Sequence, residues 1–281
     1  MKLKNVVSGI VAAVALSGCS SMSADEGTWT ATNDSSSATP STTEPSTEVE
    51  QPAPAETTTS EDEAVAADTE GTALAALALL AVKGRAPMTG YDRSRFGQAW
   101  LDADRNGCDT RNDVLGELLT DVALESDGCV VATGKYDDPY TGDSIDYRQG
   151  DGTLIDIDHV IALGNSWATG SQRWDIKRRA ALANDPLNLL PADAGANRQK
   201  GDGDAATWLP AYKPFRCEYV ARQVAVKQKY ELWVTAPERD AITRILSGCP
   251  GQELTPDTWG APSRVNHDLT DPGPPAEEPV E

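Results

Sequence analysis

The chain has 281 residues, 39% of them hydrophobic, and its 44 Asp and Glu against 24 Lys and Arg give a formal net charge of −20. The acid is concentrated at the ends: residues 20–82 hold twelve acids and no base, 83–249 hold 25 acids and 21 bases, and 250–281 hold seven acids and Arg264 alone. The nearly neutral middle, with five of the seven Trp, is long enough for one ordinary hydrophobic core. This distribution excludes a multidomain enzyme and a uniformly basic nucleic-acid coat. A polytopic membrane protein is excluded because no apolar run reaches the roughly 20 residues of a spanning helix.

Residues 1–19 place Lys2 and Lys4 before the apolar stretch from Val6 to Leu16 and end in Leu16-Ser17-Gly18-Cys19, the layout of an export signal with a small-residue cleavage site. That ending resembles the bacterial lipobox. The resemblance implies that the Cys19 thiol is acylated, becomes the first residue of the mature chain and holds it to the outer face of the cell membrane. An ordinary secretory signal is the alternative and leads to the same compartment. Cys108, Cys129, Cys217 and Cys249 remain, an even number for an oxidising compartment, and allow three pairings. Nearest-neighbour pairing, Cys108 with Cys129 and Cys217 with Cys249, is expected and closes a local loop at each end of the domain. Structural zinc is disfavoured, because there is no C-x-x-C pair and the only histidines are His159 and His267.

Residues 20–72 are Ser, Thr, Glu, Pro and Ala with almost no large apolar side chains, a composition that cannot bury enough surface to offset the entropy of ordering and predicts a disordered stalk. The folded domain is expected over 73–249. Within it the apolar run Ala73 to Val82 predicts a short docking helix. Arg93 to Ala103 and Asn112 to Ala123 read as helices, and Cys129 to Tyr136 and Ser144 to Arg148 as strands joined through D-D-P-Y-T-G-D. Leu154 to Asp158 is a further strand, Trp174 to Ala183 a helix, and Leu187 to Leu190 a short extended piece. Tyr219 to Leu232 and Glu238 to Leu246 close the domain as helices, the last begun by Pro237. Residues 250–281 read as a disordered acidic tail, and His267 within it as inert. The class is α+β, with additional helices and a small antiparallel sheet.

The segment from Leu154 to Asp204 carries the chemistry: L-I-D-I-D-H-V-I-A-L-G-N, then N-D-P-L-N-L-L-P-A-D-A-G-A-N-R-Q-K. The one His of the domain follows Asp158 at a strand end, where adjacent side chains point to opposite faces unless the strand turns. Asn188 and Asn197 stand nine residues apart, room for a short strand, a turn and entry into a helix carrying Arg198 and Lys200, which makes a strand–loop–strand–helix unit. Taken singly, His159 reads as a satisfied turn histidine and the Asn residues as turn or cap formers. The combination is what points to a site.

At these residues the sequence resembles the HNH, or His-Me finger, endonucleases, most closely exported bacterial members related to the nuclease domain of GmrSD restriction enzymes. The segments Lys83 to Gly97, Asp102 to Leu115 and Y-V-A-R-Q-V-A-V-K from Tyr219 share the resemblance. It implies a ββα-metal core in which His159 is the general base and Asn188 orients the imidazole or its loop. Asp158 and Asn197 hold a divalent metal, Mg²⁺ first and Mn²⁺, Ca²⁺ or Zn²⁺ as alternatives, and Arg198 and Lys200 contact phosphate. The substrate implied is DNA, with RNA as a second candidate, and a monomer is expected. Ala162 departs from the family, which commonly has Pro three residues after the His. Imidazole is available as a base near neutral pH, and a carboxylate with an amide oxygen suits a hard cation. Asp156 shares the strand face of Asp158 and stays outside the core set.

Residues 173–229 hold eleven bases against six acids, a basic surplus around the proposed site, with Arg173, Lys177, Arg178 and Arg179 as a candidate phosphate rim or a solvated helix face. No sequence-reading module is visible, so low sequence specificity is expected. Asp102 to Asp113 matches the first half of a calcium loop, but an Asn106-Gly107 turn followed by a helix capped by Thr110 is preferred. Arg111 is a candidate to project toward the centre. Trp100, Trp167, Trp174 and Trp208 read as core. Two rival functions remain: a non-catalytic nucleic-acid- or surface-binding lipoprotein that keeps the fold, and a calcium-stabilised envelope adaptor.

Overall fold

The structure, a computed structural model, describes residues 71–151 and 154–274. The export signal, Cys19, almost all of the expected stalk and the last seven residues lie outside these. Helix α1 (Ala73–Leu79) starts where the Thr72 hydroxyl accepts from the Ala75 amide, and it buries Ala73, Ala76 and Leu77. A 3-10 turn, Arg93–Phe96, precedes helix α2 (Thr110–Leu118), and strands β1 (Thr120–Leu124), β2 (Val131–Asp137) and β3 (Ser144–Arg148) form an antiparallel sheet in that order. Strands β4 (Ile155–His159) and β5 (Leu189–Asp193) make a second antiparallel pair, with helices α3 (Leu163–Ala168) and α4 (Ile176–Ala183) between them in sequence. Helix α5 (Ala194–Lys200) follows β5 directly. Helices α6 (Arg216–Tyr230) and α7 (Ala236–Leu246) close the fold, the latter with a Thr235–Glu238 capping box. The expected α+β class with small antiparallel sheets is what the chain adopts.

Three apolar clusters position these elements. Helix α6 serves two: Tyr219, Val220 and Val224 pack with α1, α7 and Tyr140, whereas Ala225, Val226 and Tyr230 pack with Trp167 and α4. The third joins α2 and the three-stranded sheet to Ile155, Ile157 and Leu189 of the β4–β5 pair. That pair is therefore packed on both sides, with Leu190 and Ala192 in the first cluster. Disulfides Cys108–Cys129 and Cys217–Cys249 match the nearest-neighbour pairing. No helix among the described residues is long and apolar enough to cross a membrane.

Several expectations differ from the observed elements. The helix predicted over Asn112 to Ala123 stops at Leu118, because Leu119 turns extended and buries against β2. Gly134 makes this approach feasible, since a Cβ there would stand 2.9 Å from the Leu119 side chain. Thr120 then begins β1, a strand the pattern did not announce. The helix predicted over Arg93 to Ala103 is a single 3-10 turn, ended by positive φ at Gly97 and again at Trp100. Helix α3 was not anticipated: all six of its residues are buried, so it has no polar face to betray a period. Asp109, not Thr110, caps α2, and the Thr110 hydroxyl donates to the Leu101 carbonyl.

The expected disordered tail is ordered at its beginning. Gln252 and Leu254 bond the backbone at Ala73 and Gly71, Val265 is buried, and Asp271 accepts from both Arg95 and Arg179. A Pro-rich acidic segment orders when the domain offers it buried cations, which composition alone does not reveal.

Candidate active site

His159 ends β4, paired with Leu189 at the start of β5, and its ring is buried. Its Nε2 lies 2.9 Å from the Ala183 carbonyl oxygen. A carbonyl only accepts, so Nε2 carries the proton and the neutral ring keeps its lone pair on Nδ1. Burial pushes the imidazole down to about 4, against the opposing pull of the Ala183 hydrogen bond and with Arg93 lowering it further. The ring is therefore neutral at neutral pH, the state a general base requires.

Asp158 points to the other face of the strand, as alternation dictates. Its Oδ1 accepts from Lys200 Nζ at 2.9 Å and its Oδ2 from the Tyr140 hydroxyl at 2.5 Å, and both charged side chains are almost fully buried. Lys200 Nζ also donates to the His159 carbonyl at 2.8 Å. The phosphate contact expected of Lys200 is not where the structure places it: the ammonium is enclosed and committed to Asp158 and the β4 backbone. Burial and the Asp158 charge push the Tyr140 phenol well above its ordinary value, so it remains a donor.

Helix α5 begins with Asp193 accepting from the Ala196 amide, which brings Asn197 and Arg198 alongside β4. Asn197 Nδ2 donates to Asp156 at 3.2 Å, leaving its amide oxygen free to face elsewhere, and the exposed Arg198 head stands 3.4 Å from the same carboxylate. Asn188 is fully buried: its Oδ1 accepts from the Ile161 amide, and its Nδ2 donates to the Ile161 and Leu182 carbonyls. With the Val160 amide bonded to the Asn188 carbonyl, this residue clamps the loop that leaves His159.

Asp158, His159 and Asn197 nevertheless line one polar cleft of about 280 Å³, together with Tyr91, Arg93 and Asp202. Asp202 caps α3 from outside, accepting from the Gly164 amide, which Ala162 cannot do. Glycine at 164 permits this contact, because a Cβ there would lie 2.3 Å from the Asp202 carboxylate and push it away. Tyr91 and Arg93 fall in the Lys83 to Gly97 segment, whose likeness to the HNH proteins marked it without assigning a role to either. Among the described residues no three His, Cys, Asp or Glu side chains converge on a metal position. Of the two residues expected to hold a metal, Asp158 has both oxygens engaged by Lys200 and Tyr140, while the Asn197 amide oxygen is a hard donor of the kind such cations take.

The remaining expectations sort by burial. Arg179, expected on a phosphate rim, is fully buried and holds Asp271, while Arg178 bonds the Tyr230 carbonyl and Glu231. In the Asp102 to Asp113 loop the side chains serve the turn: Asp102 accepts from Gly107, Asp104 from Asn106, and Asn106 donates to Asp113. Arg111 lies over the Trp100 ring at 5.9 Å, and Trp100 lies parallel to His159 at 6.1 Å. Of the four tryptophans expected in the core, Trp167 is buried and Trp100, Trp174 and Trp208 are half-buried.

With this geometry in place, the chain's relatives are informative. The family described as GmrSD restriction endonucleases, C-terminal domain, matches residues 109–245. An "Uncharacterized secreted protein" of Arthroderma benhamiae is 32% identical over 180 residues, covering 63% of this chain and 85% of that protein. Residues 109–245 are thus similar to the GmrSD C-terminal domain family. The matched span of the GmrSD C-terminal domain takes in β4, β5, α5 and α6, hence His159, Asn188 and Asn197, and leaves out Tyr91, Arg93 and Trp100. No solved structure matches the chain.

Proposed function

We propose that this protein is an exported, metal-dependent HNH endonuclease that hydrolyses phosphodiester bonds of DNA, and of RNA as a second substrate, with little sequence preference. The observation that carries the reading is His159: buried and neutral, with its Nε2 proton tied to the Ala183 carbonyl, it keeps the Nδ1 lone pair for a proton and lines a cleft it shares with Asp158 and Asn197. The likeness of residues 109–245 to the C-terminal domain of GmrSD restriction endonucleases supports the same reaction class.

In this reading His159 takes the proton of the attacking water, a role worth typically 10²–10⁴-fold. Asn188 sets the loop that aims the ring. A divalent cation held by the Asn197 amide oxygen and by the lone pairs that Lys200 and Tyr140 leave on Asp158 would offset charge on the phosphate oxygens. Lys200 and Tyr140 hold the Asp158 carboxylate in place, and Arg93, exposed at the cleft, is a cation that can meet phosphate. The signal at 1–19 and the likeness to a secreted protein support export, with Cys19 as the site of lipid attachment and a monomer as the working state.

The test is cleavage of plasmid, single-stranded DNA and RNA by the oxidised protein in Mg²⁺, Mn²⁺, Ca²⁺, Zn²⁺ and EDTA, beside His159→Ala. Cutting that needs metal and drops at least about 100-fold in the variant supports the assignment. Binding to nucleic acid without any cutting would instead leave a non-catalytic lipoprotein built on the same fold.

A further inference from the structure

A second cavity, of about 300 Å³, adjoins the polar cleft and shares Arg93, His159 and Leu163 with it. Its other walls come from Phe96, Gln98 and Trp100, before α2, and from Asn184 at the end of α4. They are mostly apolar and include no carboxylate. Arg93, at the edge common to both spaces, is exposed and forms no salt bridge among the described residues. Trp100 has φ +56°, an uncommon conformation for a bulky residue that persists only where neighbours impose it. The Arg111 guanidinium stands 5.9 Å from its ring, and the His159 ring lies parallel to it at 6.1 Å.

We propose that this pocket takes one nucleobase of the substrate strand, next to the phosphate in the polar cleft, with Arg93 on the phosphate linking the two. The inference rests on the nuclease reading of the cleft. A flat heteroaromatic ring attached to an anion matches what the space offers: aromatic walls, a free amide at Gln98, a cation at the mouth and no negative charge within. Aromatic stacking tolerates any base, in keeping with low sequence specificity. The Asn184 amide is already spent, accepting from the Leu101 amide and donating to the Ala180 carbonyl, so it shapes the wall and does not read the base. A base inside a duplex would have to leave its stack to enter. Unpaired strands are therefore the favoured substrate.

The experiment uses the native oxidised protein and single-stranded oligonucleotides of one sequence, in which an abasic site is walked through the positions flanking the cut. One position beside the cut should lower kcat/KM by on the order of 10- to 100-fold, the value of one base–aromatic stack. The same strand in a duplex should be cut more slowly. Trp100→Ala should abolish the dependence on that position. Because Trp100 also touches His159, Ala99→Trp is the second variant: it fills the pocket from an exposed residue and should slow cutting of intact strands toward the abasic rate. Cutting that is equally fast at every abasic position overturns the base pocket and leaves the nuclease reading standing. No cutting of any strand brings down the nuclease reading itself, and this inference with it.

Discussion

Replacing Lys200 by methionine keeps most of the side-chain volume of a buried residue and removes only its charge. The native ammonium is fully enclosed, 2.9 Å from an Asp158 carboxylate that is 4% exposed. Breaking a buried pair by deleting one partner typically costs about 3–5 kcal/mol, because the other charge is left uncompensated. The His159 carbonyl also loses its donor, worth about 1–3 kcal/mol if it stays dry. The Tyr140 hydroxyl still serves the second carboxylate oxygen, so a loss of about 3–4 kcal/mol is expected. Urea unfolding of the oxidised protein, followed by tryptophan fluorescence, measures it as a fall in midpoint at unchanged slope. Adding Asp158→Asn to Lys200→Met should recover part of the loss, since no buried charge then remains. A shift under about 1 kcal/mol, the size of an exposed ion pair, would refute this account. If stability held and only nucleic-acid binding fell, Lys200 would be the phosphate ligand that its place beside Arg198 suggested.

Three other outcomes follow from single contacts. Ala162 has φ −54°, which proline adopts, and its N–H donates no hydrogen bond among those of the described residues, so Ala162→Pro should raise stability by about 0.4–1 kcal/mol in the same urea assay. A loss would mean that the turn after His159 needs that N–H. His159 is lowered by burial from 6.5 to about 4, so between these values the unfolded chain binds more protons than the folded one. Stability should be fully present above pH ~6.5 and fall by up to ~3 kcal/mol as pH drops toward 4. His159→Gln, which can still donate to Ala183, should flatten that slope in thermal melts across pH. Asp271→Ala removes the carboxylate shared by Arg95 and the buried Arg179; the expected cost is about 2 kcal/mol, with faster proteolysis within residues 250–274. Unchanged cleavage there would show that Asp271 does not hold the segment.

How much of this was legible depended on whether a feature is local. β3 and the helix carrying Arg198 and Lys200 could be read because alternation and the spacing from Asn188 to Asn197 act over a few residues, whereas the Asp193 cap was not anticipated. The pairing of Cys108 with Cys129 and of Cys217 with Cys249 followed from short loops. Each cross-link, spanning 21 and 32 residues, restricts the unfolded chain by about 3–4 kcal/mol in the loop-entropy model. The Asp158, His159, Asn188 and Asn197 set was visible as a pattern, and the structure brings Asp158, His159 and Asn197 to one cleft while Asn188 supports the loop from beneath.

The sequence by itself determined the acidic ends, the α+β class and the segment that carries the candidate site, because composition, period and residue spacing are properties of the chain alone. Which nitrogen of His159 holds its proton was decided by the Ala183 carbonyl, 24 residues away, and the fate of the Lys200 charge by how deeply α5 sinks against β4. Arg93 reached the cleft, Arg179 left the surface for Asp271, and β1 replaced the end of a helix for the same reason. Each outcome turns on a partner supplied by a distant segment, and the energy of burying a charge or an apolar side chain against that partner outweighs local propensity.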